Sequence, residues 1–169
     1  MMSKLIALAV SIAVLGGVWA FLALNPLAEM ALVVWVGFIA WGCYFHTGGD
    51  NAALQKTIAG MAFGAVMAGV ALALVSGGVL SGLGVLATPV IIAATVFPLV
   101  AASSVSLLSV VPANVYGFAA AAGLALTGHT ASNAMAADLS NPVLLVIIST
   151  VIGALFGVAS GKLAGMLGK

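Results

Sequence analysis

Trp35, Ile39, Gly42 and His46 recur at the spacing that gathers side chains on one face of an α-helix. That face combines an indole N–H, a gap at the glycine and an imidazole at one end. Two readings fit it. It is a wall of a path for a small solute, gated by pH because an unperturbed imidazole titrates near neutrality. Alternatively it is an aromatic anchor with an interfacial histidine. A second group is hydroxylic. Thr88, Thr95, Ser106 and Ser109 share a face if their helix is straight, with Ser103 and Ser104 beside them and Pro98 near mid-membrane. Pro98 frees the carbonyl of Ala94, and hydroxyls or water commonly satisfy such groups in lipid. These hydroxyls either bond back to their own helix or line a hydrated cavity. Asn114 and Tyr116 form the third group, just after Pro112, which opens a short helix. A recessed helix N-terminus there would aim backbone N–H groups at a polar ligand, with the Asn114 amide beside it. An ordinary turn between two spans is the other reading. Trp35, His46, Thr95, Ser106, Asn114 and Tyr116 are thus the candidate lining of a solute path.

Catalysis finds no foothold in the chain. It contains no GxSxG, HExxH, P-loop or CxxC pattern and no pair of carboxylates within one apolar stretch. His46 and His129 fall at the ends of different stretches, and Cys43 is the single cysteine. No metal site, cofactor, disulfide or catalytic residue is therefore expected.

The scaffold that must position these residues is written in the composition. Of 169 residues, 64 % are hydrophobic and 4 % are charged, where a soluble domain spends about a quarter on charge. That excludes a water-soluble globule, and the lack of a basic patch excludes nucleic-acid binding. Six apolar stretches, near 5–24, 26–46, 52–76, 89–111, 113–128 and 142–166, predict a single all-α domain: a polytopic transmembrane helical bundle in the lipid bilayer. The stretch 113–128 is short enough to be a broken or re-entrant helix. The first stretch exceeds a signal-peptide core and lacks a clean A-x-A site, so it reads as a retained helix. Asn25-Pro26, Thr88-Pro89 and Asn141-Pro142 read as capped helix starts with proline at the first position. Asp50 or Asn51 reads as the cap of the third helix. The apolar, glycine-rich segment 77–87 is expected to dip into the membrane or pack over the bundle mouth. The two halves share their cap-proline starts but no residue pattern that aligns them.

With a cytoplasmic N-terminus, six spans place Lys4, Lys56, Lys162 and Lys169 on the cytoplasmic side, while Glu29 and Asp138 lie opposite. This is the positive-inside bias, with both termini cytoplasmic. Gly153, Gly157, Gly161 and Gly165 recur every fourth residue, and Gly60 and Gly64 repeat the spacing. Such ridges let helix backbones approach closely. They serve either packing within one subunit or contacts between subunits of a homo-oligomer, which a thin six-helix bundle makes the expected state.

The run Trp41-Gly42-Cys43-Tyr44-Phe45-His46-Thr47-Gly48-Gly49 and the run from Val110 to Phe118 resemble segments of the domain of unknown function 1097 family, small bacterial inner-membrane proteins. The resemblance implies a bacterial inner-membrane location and one multi-span domain, and carries no activity or cofactor. The residues themselves favour a passive channel or facilitator for a small polar or neutral solute such as water, urea, an amide or ammonia. Ion coupling is disfavoured because no carboxylate sits within a span. The alternative is a non-transporting accessory subunit that docks a partner through its glycine-rich helix faces.

Overall fold

A computed structural model describes residues 2–168, so Lys169 lies outside the described residues. Six α-helices follow one another: α1 (Lys4–Leu24), α2 (Val34–His46), α3 (Asn51–Ser76), α4 (Ala87–Ala101), α5 (Val111–Thr127) and α6 (Pro142–Leu167). No strand occurs among the described residues. The protein is an all-helical bundle, and four helical segments are long and apolar enough to span a membrane: Lys4–Leu24, Asn51–Ser76, Ser81–Ser104 and Pro142–Leu167. At about 1.5 Å per residue, α2 and α5 fall short of the ~30 Å hydrocarbon core. The shortest helix is α2, with 13 residues against 17 in α5, although the sequence pattern had pointed to the later stretch.

Two helix ends match their capping chemistry. Asp50 Oδ1 accepts from the Ala53 N–H at 2.7 Å at the start of α3. Asn141 Oδ1 accepts from the N–H groups of Val143 and Leu144 at the start of α6, with Pro142 in the first turn. Asn25-Pro26 does the opposite of what was expected. Asn25 closes α1, its backbone N–H and its Nδ2 both donating to the Phe21 carbonyl, at 3.1 and 3.0 Å. Proline is common both just past a helix end and just inside a start. The chain then runs through a 3₁₀ turn, Ala28–Met30, and a left-handed Ala31 before α2 begins at Val34. Likewise α4 starts at Ala87, without a side-chain cap, instead of at Pro89. It stops at Ala101 rather than running to 111; 3₁₀ turns follow at Ala102–Ser104 and Ser106–Leu108, with extended Val105 between them. Pro98 and a serine-rich stretch that competes for backbone partners account for the break. Segment 77–87 forms the 3₁₀ turn Ser81–Leu86, and its apolar residues are exposed instead of covering the bundle.

Helices α3 and α6 are the inner pillars. Against α3 pack α5 and α4, and against α6 pack α2 and α1, while the pillars touch each other. The tightest contacts are glycine contacts. A Cβ on Gly153 would collide with the Gly37 backbone, its Cα at 2.5 Å, and one on Gly157 would meet Tyr44 at 2.8 Å. On the other side, a Cβ on Gly64 would strike the Asn114 carbonyl and the Phe118 nitrogen, the latter at 2.7 Å, and one on Gly117 would strike Met61. These ridges are consumed inside the chain. Gly161 has only Phe45 nearby, at 3.7 Å, and Gly165 faces open space. Helix α1 turns Leu5, Ile6, Val14 and Phe21 outward, an apolar surface that lipid covers without cost.

The glycine contacts predict an asymmetric substitution series. Gly64→Ala and Gly153→Ala must push helix backbones apart, which costs about 1–3 kcal/mol or more. Gly165→Ala meets no atom and gains up to ~1 kcal/mol of helix propensity. Thermal unfolding in detergent should show the first two falling well below the parent and the third at or above it.

Candidate functional site

Between α2 and α5 lies a groove of about 330 Å³ lined by Phe38, Ile39, Gly42, Cys43, His46 and Tyr116. The α2 side is one helical face, and its spacing brings Ile39, Gly42 and His46 together. Gly42 supplies the room, since a Cβ there would meet nothing within 4 Å. His46 ends the helix, exposed at the mouth, and Tyr116 closes the far wall from α5. No lysine, arginine, aspartate or glutamate lines the groove. Trp35 does not line it. It sits a turn beyond, 45 % exposed on the outside of the bundle.

The hydroxyl group does not converge on this groove. Thr95 is buried and donates to carbonyls of its own helix, Ile91 and Ile92, at 2.9 and 3.0 Å. Ser106 lies beyond the break in α4, exposed in a 3₁₀ turn, so it shares no face with Thr95. The straight helix that would have aligned them does not exist.

Asn114 is fully buried and holds the break together. Its Nδ2 donates to the Leu108 carbonyl at 3.0 Å and to the Leu99 carbonyl at 3.3 Å. Both acceptors border the interrupted stretch, where regular helical partners are missing. The amide is therefore a tie between α5 and the end of α4 rather than a groove residue. Its Oδ1 has no partner and lies over Gly60, so close that a Cβ on Gly60 would sit 2.8 Å from it.

Other polar side chains join helices in ways the sequence did not announce. Trp19 Nε1 donates to the Val34 carbonyl at 3.0 Å, and Ser149 Oγ accepts from the Val33 N–H at 2.9 Å; together they anchor the start of α2. Trp41 Nε1 donates to Ser160 Oγ at 2.9 Å. Phe38 and Cys43, missed as lining residues, stand within one turn of Gly42 on α2. Extending the helical face by one position to either side would have found both. Outside the helices, hydrogen bonds from the Ser140 side chain and backbone hold the Asp138 carboxyl below the usual carboxylate range. No group of three or more His, Cys, Asp or Glu side chains able to hold a metal occurs among the described residues.

A polytopic helical membrane protein with an uncharged groove between its two short helices is the class that this fold and site define. The family described as Protein of unknown function (DUF1097) matches residues 9–165, and the chain belongs to it. No curated protein and no solved structure matches the chain.

Removing the Asn114 amide takes its donor from the buried bond to the Leu99 carbonyl and from the part-buried bond to the Leu108 carbonyl, at ~1–3 kcal/mol for a fully buried group. Asn114→Leu should therefore lower the thermal midpoint strongly. Thr95→Val, which removes only a bond within one helix, should stay close to the parent.

Proposed function

We propose that the protein passes a small neutral polar solute across the membrane passively, without catalysis, along the seam between α2 and α5. The observation that carries this reading is the uncharged groove itself. Its volume of about 330 Å³ is well above the ~10–15 Å³ of accessible space that a single water needs. It has an imidazole at its mouth and a phenol in its wall, which offer hydrogen bonds without holding an ion. A bound ion or pumped proton would call for a carboxylate in the path, and Glu29, Asp50 and Asp138 all lie outside the α-helices. The accessory-subunit reading draws less support, because Gly60, Gly64, Gly153 and Gly157 already hold this chain's own helices together.

The same reading places the protein in a bacterial inner membrane as a homo-oligomer, with Lys4 and Lys162 on the cytoplasmic side. Lys4 and the end of α6 share one end of the bundle, the Lys4 Cα lying 3.3 Å from where a Cβ on Gly168 would be. Clustered lysines mark the cytoplasmic face.

Stopped-flow measurements on proteoliposomes test the proposal, with water, glycerol, urea, acetamide and ammonia compared against empty vesicles. The expected outcome is a selective rise for one solute that Gly42→Leu removes. Folded, reconstituted protein that raises none of them would overturn the proposal and favour the docking subunit.

A further inference from the structure

The chain folds as two halves with the same plan. In the first, α3 follows a short helix, α2, and a peripheral one, α1; in the second, α6 follows α5 and α4. The packing is reciprocal. The first half's short helix lies on the second half's pillar (α2 on α6), and the second half's short helix lies on the first half's pillar (α5 on α3). Both pairs run parallel. Gly153 meets Gly37 and Gly161 meets Phe45 in one, while Gly60 meets Ala113 and Gly64 meets Phe118 in the other.

Residues follow the plan. On the pillars, Thr57-x-x-Gly60-x-x-Phe63-Gly64 is matched by Thr150-x-x-Gly153-x-x-Phe156-Gly157. On the short helices, Gly37-Phe38-x-Ala40 is matched at one constant offset by Gly117-Phe118-x-Ala120, and Thr47-Gly48 by Thr127-Gly128. The ties match too. Trp19 reaches the Val34 carbonyl, and at the same offset Asn114, the counterpart of Val34, reaches the carbonyl of Leu99, the counterpart of Trp19. Even the outer grooves correspond. Ala71, Leu72 and Val75 with Thr88 line one, and their counterparts Ala164, Gly165 and Gly168 with Leu8 line the other.

One difference between the halves has chemical content. In the first, the buried Thr57 hydroxyl donates to Cys43 Sγ at 3.7 Å. In the second, Thr150 is equally buried but its hydroxyl has no partner. The counterpart of Cys43 is Gly123, where a Cβ would meet nothing within 4 Å. A buried hydroxyl without a partner carries a desolvation cost that a bound polar molecule relieves.

We propose that the protein is two copies of one three-helix unit inserted in opposite orientations, and that Thr150 beside the Gly123 gap holds a small neutral hydrogen-bonding solute on the path. An odd number of alternating helices per unit, three, inverts the second copy, as in transporters whose sites lie at the interface of inverted repeats. The seam between α2 and α5 then lies on the pseudo-two-fold axis. The groove at Gly42, Cys43 and His46 is one entrance; its counterpart positions are Ala122, Gly123 and Leu126, of which Ala122 and Leu126 also line the groove with Ala71, Leu72 and Thr88. The solute site rests on the reading of passive passage; the inversion does not.

Two measurements on the full chain separate them. In a Cys43→Ser background, His46→Cys and Leu126→Cys are exposed to a membrane-impermeant maleimide from each side of sealed vesicles. Labelling from opposite sides is expected, and labelling of both from the same side overturns the inverted arrangement whatever the flux. Flux is then compared for Gly123→Leu and for Gly165→Leu, which lies outside the seam. Loss with the first alone supports the site. Unchanged flux in Gly123→Leu, while Gly42→Leu abolishes it, overturns the site and leaves passage standing. No flux in the parent removes passage and the site together. Gly123→Cys gives a readout free of transport: it restores the pairing seen at Thr57 and should raise the thermal midpoint, whereas a lowered midpoint contradicts the equivalence.

Discussion

Close approach of helix backbones at glycine is the constraint on which this structure depends. Lipid tails are as apolar as leucine, so burying apolar side chains between helices gains little in a bilayer. Dispersion contacts and a few hydrogen bonds must do that work, and dispersion fades steeply with a gap of even an ångström. Gly153 on Gly37 and Gly64 on Asn114 and Phe118 bring α6 against α2 and α3 against α5. From those two contacts follow the central place of α3 and α6, the peripheral place of α1 and α4, and the seam between the two short helices. The groove exists because α2 and α5 are each held from behind by a pillar and need not fill the space between them.

Short helices expose backbone ends at depths where water is scarce, and the fold satisfies them with side chains. Trp19 and Ser149 bond the start of α2, and Asn114 bonds the carbonyls around the break before α5. Each tie reaches to a different helix, so each also sets the position of a short helix relative to its neighbours. A polar residue buried in such a bundle is therefore ambiguous from sequence: it can serve the solute or the backbone. Thr95 and the Asn114 Nδ2 group serve the backbone, whereas Asn114 Oδ1 and the Thr150 hydroxyl are buried without a partner.

The class of fold was plain in the sequence because charge is so scarce that no other scaffold fits. The glycine spacing and the caps at Asp50 and Asn141 were equally legible, since each rests on a local rule. Asn25-Pro26 misled because the same two residues can end a helix or begin one, and only the Phe21 carbonyl decides between them. The alignment of Thr95 with Ser106 failed because it assumed a straight helix through Pro98 and four serines. His46, Gly42 and Tyr116 reach one groove, and the face on α2 foretold the first two. Tyr116 joins them only through the crossing of α5, which no local pattern encodes. The duplication was hidden for a simple reason: the longer connection between Gly128 and Asn141 shifts the second pillar out of the offset that relates the short helices.

The account stands most directly on whether solute moves through the α2–α5 seam. Gly42→Cys in a Cys43→Ser background places a thiol in the open part of the groove, where a bulky methanethiosulfonate can occupy the space as a reversible plug. Flux should fall as the thiol is modified and return when a reductant releases the adduct. Complete modification with flux unchanged would contradict the account.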